Sequence, residues 1–390
     1  MKNRNINVIL KNKIISVDLI LPLCLELNKR CGFKFTFLVT ELDSYLSIMN
    51  DNIVLRDIIE SIGTIKNISN QRYSNKVISK IYFMGFLCLV SLRMITRKEY
   101  LFHFGALHMY PYKKIRSIFI KKRVIFSEAT PHGAWNKDNY LNLRSDNISD
   151  ILSSILSKKI DIYARIIVSY SPKWNYLKHP QTYGMDKIIF NNNRKSNEWI
   201  NYFLNNSEKY IEKEFNRNCI TNKPSNYFLI IDSRLNHSPI LAIESFRILI
   251  RKLSPYSKET PVFIKAHVHS DLNYMKSVIE EESGDMKKNF IITKLHPVTF
   301  YKGAVASFFV HNSTVEYEMK EIGIPVIKCM FAFNNETAKQ NDQFNECDDY
   351  VFIGGDKDEK FEELIDKMLS EKVDHNISPK KTSVDCSLFN

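Results

Sequence analysis

The feature that most restricts the fold of this chain is a rhythm. Short runs rich in β-branched and aromatic residues alternate with helix-length segments, and the series begins twice. INVIL (6–10), FKFTFLV (33–39), YLFHF (100–104), RVIFSEA (123–129) and RIIVSYS (165–171) form the first series. YFLII (227–231), PVFIKA (261–266), NFIIT (289–293), ASFFV (306–310), PVIKC (325–329) and YVFIG (350–354) form the second. Between them lie KIIFNNNRKSN (187–197), a polar helical stretch (198–215) and the loop-like NCITNKPSN (218–226). Strands separated by helices imply parallel sheets covered on both faces, because only a crossover helix returns the chain to a parallel neighbour. The expected architecture is α/β: two Rossmann-like domains facing across a crevice, where such sheets hold ligands. The expected boundaries are 1–190 for the first domain, 191–225 for an interdomain helix and linker, and 226–390 for the second.

At 390 residues the chain is long enough for two ordinary cores, and 44% hydrophobic with 25% charged residues is a globular balance. The seven cysteines stand singly with no CxxC pair. That spacing argues against a disulfide framework or a zinc site and for a reducing compartment. MKNRNINVIL runs directly into a strand-like segment and lacks the apolar region and cleavage site of a secretory signal. The expectation is a cytoplasmic protein, peripheral on the inner membrane if it binds lipid at all. The net charge of +12 is concentrated in residues 1–190, where Lys and Arg exceed Asp and Glu by 15. A basic half attracts anionic partners, although a general richness in Lys, Asn and Ile also inflates the count. IYFMGFLCLVSL (81–92) is uncharged and flanked by Lys76, Lys80, Arg93, Arg97 and Lys98. Twelve residues are too few to span a bilayer, which leaves a membrane-interface helix and a core helix both open.

The chain lacks GxGxxG after a strand, GxxxxGK[ST], HExxH and GxSxG, which removes dinucleotide, P-loop, zincin and hydrolase-elbow readings. Asp356 and Asp358 form a DxD, but they follow Gly-Gly and precede a helix, where acids serve as caps. No metal site and no cofactor is expected. The chemistry-bearing residues gather behind strands of the second series. FIKAHVHSD puts Lys265, His267 and His269 two apart at a strand end, hence on one side, a set suited to phosphate charge. KLHP (294–297) follows, and then FFVHNSTVEYEM (308–319). There Asn312, Ser313 and Thr314 stand at a strand-to-helix turn that would seat a phosphate. Glu318, one helical turn on, would accept from ribose hydroxyls. The competing reading of STVE is a capping box, with Ser313 or Thr314 as cap and Glu316 as its partner. In the first half, FSEATPHGAW (126–135) offers Glu128 and His132 as candidate general bases. SRLNHSP (233–239) supplies Arg234 and Asn236 to a further loop.

The stretch IKAHVHSD followed by HPVTFYKGAVASFFVHNSTVEYEMKEIGIPVI resembles the C-terminal domain of GT-B glycosyltransferases of bacterial capsule and lipopolysaccharide synthesis. Kdo transferases, sialyltransferases and CDP-glycerol polymerases carry a Lys-x-His-Pro element, then a Ser/Thr turn and Gly-x-Pro-Val. The resemblance covers roughly 226–330. It implies that Lys265 and His267 meet the donor phosphate, that Ser313 and Thr314 seat it, and that Glu318 takes the ribose. Gly323 and Pro325 match the turn into the next strand, whereas Val268 replaces the expected proline and Met319 an alanine. The implied activity is metal-independent, inverting transfer from a nucleotide-sugar donor, with CMP-linked donors somewhat favoured, to a saccharide or lipid-linked acceptor. An anionic membrane surface is an expected partner and nucleic acid is not, since no aromatic platform interleaves the basic residues. A polyol-phosphate transferase and a non-catalytic membrane scaffold are the alternatives.

Overall fold

In the computed structural model, residues 4–10, 14–50, 52–69, 73–104, 123–127, 166–169, 186–189, 197–220, 224–232, 240–267, 270–313, 315–340, 348–354, 359–371 and 384–389 are described. The chain divides into two compact units, Met1–Trp199 with Lys381–Asn390, and Ile200–Lys380.

The first unit holds seven strands: β1 (Asn5–Leu10), β2 (Lys34–Val39), β3 (Gly63–Asn67), β4 (Tyr100–Phe104), β5 (Val124–Ser127), β6 (Ile166–Ser169) and β7 (Asp186–Ile189). Their order is β3-β2-β1-β4-β5-β6-β7, and every pairing is parallel. Helices α1 (Ile14–Cys31), α2 (Leu42–Asn50), α3 (Ile53–Ile62) and α4 (Lys76–Thr96) link the early strands. Ile6, Val8, Phe35 and Phe37 are almost fully buried, as expected where helices cover both faces of a sheet. Strand β3 was not foreseen. Its sequence, GTIKN, has one large apolar residue, because an edge strand needs no continuous apolar run. Gly63 opens it against β2, and a Cβ there would lie 2.1 Å from the Phe35 carbonyl oxygen, so only glycine permits that approach.

The second unit repeats the plan. Helix α5 (Asn197–Arg217) leads to β8 (Tyr227–Ile231), α6 (Ile240–Leu253), β9 (Val262–Lys265), α7 (Leu272–Ser283) and β10 (Phe290–Thr293). Then come β11 (Ala304–Phe309), α8 (Val315–Glu321), β12 (Val326–Met330), α9 (Asn335–Gln340), β13 (Tyr350–Ile353) and α10 (Glu359–Ser370). The all-parallel order is β10-β9-β8-β11-β12-β13. Phe228, Phe246, Val262, Ile264, Phe308 and Phe361 lie in one buried cluster. Each such side chain contributes about 1.5–3 kcal/mol through removal of apolar area from water. Gly323 takes φ +78°, the left-handed conformation that lets the chain leave α8 and enter β12.

Both sheets reverse their strand sequence once, between β1 and β4 and between β8 and β11. At such a switch point the connections diverge to opposite faces and leave space at the carboxyl ends of the strands.

Two sequence expectations need correction. The cysteines are not all unpaired: Cys31, at the end of α1, is bonded to Cys386. A separation of 355 residues hides that pairing from any reading of spacing. Cys24, Cys88, Cys219 and Cys329 are free. In addition, the last ten residues group with the first unit instead of the second. Phe389 is buried there, its carbonyl accepting from Arg4 Nη1 (2.7 Å) and Tyr100 Oη (2.9 Å), its ring edge-on to Phe33 and Tyr100.

Candidate functional site

The switch point of the second unit gathers two polar segments, each braced by a buried charged residue. The first follows β9. Asp232, buried just past β8, accepts the His267 backbone N–H (3.0 Å) through Oδ2 and the Ser270 hydroxyl through the same oxygen. Its own N–H donates to the Lys265 carbonyl (3.0 Å), and the Ser270 N–H closes a turn on the His267 carbonyl (3.0 Å). One carboxylate thus fixes the path of the chain from Lys265 to Ser270. Charge-assisted bonds of this kind are roughly twice as strong as neutral ones. Asp271 caps α7 by accepting from the N–H groups of Asn273 and Tyr274, so a helix does begin here. Lys265 ends β9 half-buried, its Nζ 2.8 Å from the Ala266 carbonyl, and His267 is half-buried.

The second segment follows β11. Lys328 in β12 and Glu316 in α8 are both 0% exposed and form an ion pair of 2.6 Å. The Lys328 ammonium also donates to Asn312 Oδ1 (2.9 Å) and lies over the Phe309 ring. Glu316 Oε1 in turn accepts the Ser313 N–H (2.8 Å), while Ser313 Oγ accepts from Val315 N–H (3.3 Å). The capping-box reading of STVE is therefore realised with Ser313 as cap. Ser313 is held in place by this box, and Asn312 by the lysine beneath it. His311 is half-buried; desolvation pushes its pKa below the ordinary imidazole value, the hydrogen bond to the Asn312 carbonyl opposes this, and the Lys328 charge adds to the lowering.

Glu318 is almost fully buried, with Oε2 3.9 Å from His296 Nε2. His296 accepts the Val298 N–H at Nδ1 (3.3 Å), so a neutral ring carries its proton on Nε2, facing the carboxylate. The ring also lies 5.2 Å from Phe203. The KLHP element thus lies beside Glu318.

Strands β9, β8 and β11 are consecutive neighbours, which sets the two braced segments about 10 Å apart across the sheet. Of the residues named from sequence, Lys265, His267, Asn312, Ser313 and Glu318 come to this one end of the sheet. His269, Thr314, Glu128, His132, Arg234, Asn236, Asp356 and Asp358 lie outside the described residues. Among the described residues no cluster of three or more His, Cys, Asp or Glu has the geometry to hold a metal. Sequence reasoning passed over Asp232 and Lys328. The signal was present: a lysine within the apolar PVIKC and an aspartate directly after YFLII are charges where burial demands a partner.

No family model matches the chain, and no curated protein matches it in sequence. Solved structures do match it in fold. A crystal structure assigned as a UDP-N-acetylglucosamine 2-epimerase from Listeria monocytogenes aligns with TM-score 0.50 and 13% identity, over 99% of this chain and 94% of the other. The UDP-GlcNAc 2-epimerase from Methanocaldococcus jannaschii aligns with TM-score 0.50 and 12% identity, over 95% and 94%. The likeness extends over nearly the whole of both chains, and the chain has the α/β GT-B-type fold.

Proposed function

We propose that the chain is a glycosyltransferase that moves a sugar from a nucleotide-activated donor to a surface polysaccharide or glycolipid acceptor. The observation that carries this reading is the pair of braced segments at the switch point of the second sheet. Asp232 holds Lys265 and His267 at one strand end, and Lys328 with Glu316 holds Asn312 and Ser313 at another. Buried ionic bracing of two short turns is expensive to desolvate, and it makes sense where polar groups must be preorganised for a charged ligand.

In this reading the donor phosphate lies between the two segments. Lys265 and His267 offset the negative charge that builds on the leaving nucleotide, Asn312, Ser313 and Thr314 fix its orientation, and Glu318 meets the ribose. Electrostatic stabilisation of a developing phosphate charge is worth about 3–4 kcal/mol per donor in comparable sites. An acceptor hydroxyl attacks the anomeric carbon while a base removes its proton; Glu128 and His132 are the candidates for that base. The C–O bond to the sugar forms as the bond to phosphate breaks, with inversion. The sequence resemblance favours CMP-linked donors.

A second reading is epimerisation of a UDP-sugar, which the two fold neighbours favour by their own assignment. Incubation with UDP-, CMP- and CDP-linked sugars, with and without saccharide acceptors, separates the two. Acceptor-dependent release of free nucleotide supports transfer; a new sugar epimer formed without acceptor supports epimerisation. No saturable nucleotide binding at all would contradict both.

A further inference from the structure

Helix α4 (Lys76–Thr96) is amphipathic in an unusual sense, because both of its faces are largely apolar. Leu87, Val90 and Met94 are buried, with Ser79 and Ser91 beside them. On the opposite side Val77, Ile78, Ile81, Leu89, Leu92 and Ile95 are exposed, Ile81 by 67% and Val77 by 65%. At 3.6 residues per turn these positions, with Gly85 and Cys88, form one stripe along the helix. A contiguous apolar surface of that size is rare on a free protein and marks an interaction site.

The charges in the neighbouring sequence say what covers it. From residue 61 to 104 the chain carries Lys66, Arg72, Lys76, Lys80, Arg93, Arg97 and Lys98 against a single acid, Glu99. Glu99 is buried and accepts from Asn7 Nδ2 (2.7 Å), so it offers no negative charge to the surface. Along one margin Tyr73, Tyr82 and Phe86 run in sequence, with Lys66 Nζ 5.4 Å from the Phe86 ring. An apolar centre, basic residues at both ends of the helix and tyrosines along one margin match an anionic bilayer surface: acyl chains below, phosphates around, and amphipathic rings at the boundary.

The helix has the length and composition to cross a membrane. Its connections make crossing costly, since it runs between β3 and β4, two strands of one sheet, and has a side packed into that unit. We infer that α4 docks the protein flat on an anionic membrane, its exposed stripe entering the headgroup–acyl boundary while its inner face stays in the domain. This inference does not depend on the reaction proposed above.

Flotation with vesicles tests it, using phosphatidylcholine alone and an equal mixture of phosphatidylcholine and phosphatidylglycerol. The wild-type chain is expected to float with the mixed vesicles, to do so less at high salt, and to stay behind with phosphatidylcholine. The double variant Ile81→Glu/Leu92→Glu alters exposed positions only; it should keep its circular dichroism and melting curve and lose about tenfold or more in vesicle affinity. Wild-type flotation by that variant would overturn the inference. So would a concentration-dependent dimer in lipid-free sedimentation, dissolved by the same substitutions, with no vesicle binding. Equal binding to both vesicle types would overturn the role given to the basic residues at the helix ends.

Discussion

The two sheets share a strand order, yet among the described residues their polar networks lie at opposite ends. In the second unit it lies beyond the carboxyl ends of β8, β9 and β11, around Asp232 and the Lys328–Glu316 pair. In the first, the described polar network lies at the amino ends. Asn7 Nδ2 donates to Glu99 just before β4, and Asn5 bonds to Thr36 (3.2 Å). Near that end Cys31 holds Cys386, and Arg4 and Tyr100 clasp the Phe389 carbonyl. Parallel strands leave space for ligands only at the carboxyl end of a switch point. A polar cluster at the amino end therefore reads as a staple for the returning C-terminus, and one at the carboxyl end as a candidate site. The same residue types carry different meanings according to which end of the strand bears them.

The largest effect that distinguishes the two ends should come from the buried ion pair. Lys328→Met leaves the Glu316 carboxylate fully buried beside an apolar side chain, a change that costs about 3–5 kcal/mol. Denaturant unfolding measures it. Adding Glu316→Gln, which keeps an acceptor for the Ser313 N–H, should recover much of the loss. If the double variant is no more stable than the single one, the pair does not brace the turn.

At the other end, Cys386→Ser releases the tail. In oxidising buffer the loss should be about 2–4 kcal/mol, since the cross-link closes a loop of 355 residues. In reductant, wild type and variant should melt alike. A difference that survives reduction would assign the effect to packing around the serine instead of the bond.

The smallest effect concerns His311. Its folded pKa lies below 6.5, chiefly through burial, so the unfolded chain binds the proton more readily. Stability from the neutral ring is then fully present above pH 6.5 and is lost as pH falls through the lowered value. His311→Gln should flatten that acid-side decline, seen as melting temperatures of variant and wild type that converge as pH falls. Parallel curves would mean that the ring stays solvated.

Much of this arrangement was legible in the sequence because buried parallel strands announce themselves. YFLII and ASFFV are apolar runs with no polar alternative, and their positions hold to within a residue or two. GTIKN escaped notice for the converse reason: an edge strand is defined by its neighbour β2 and not by its own composition. Lys265, His267, Asn312 and Ser313 could be placed at one end of the sheet from sequence because each follows such a run. Asp232 and Lys328 were not, although they set the geometry, because a bracing residue is recognised by its partner. Those partners lie 12 to 38 positions away in sequence. The Cys31–Cys386 bond is the extreme case of the same limit.

Calorimetric titration of nucleotides into three proteins tests the central claim most directly. The account predicts saturable binding of at least one of UDP, CMP, CDP and GDP by the wild type. The same affinity is expected for Cys386→Ser, which alters only the amino-end staple. For a folded Lys265→Ala/His267→Ala variant it should fall by about tenfold or more, the loss of two charge-assisted contacts. Undiminished affinity in that double variant, or a loss confined to Cys386→Ser, would contradict the assignment of the carboxyl end of the second sheet as the nucleotide site.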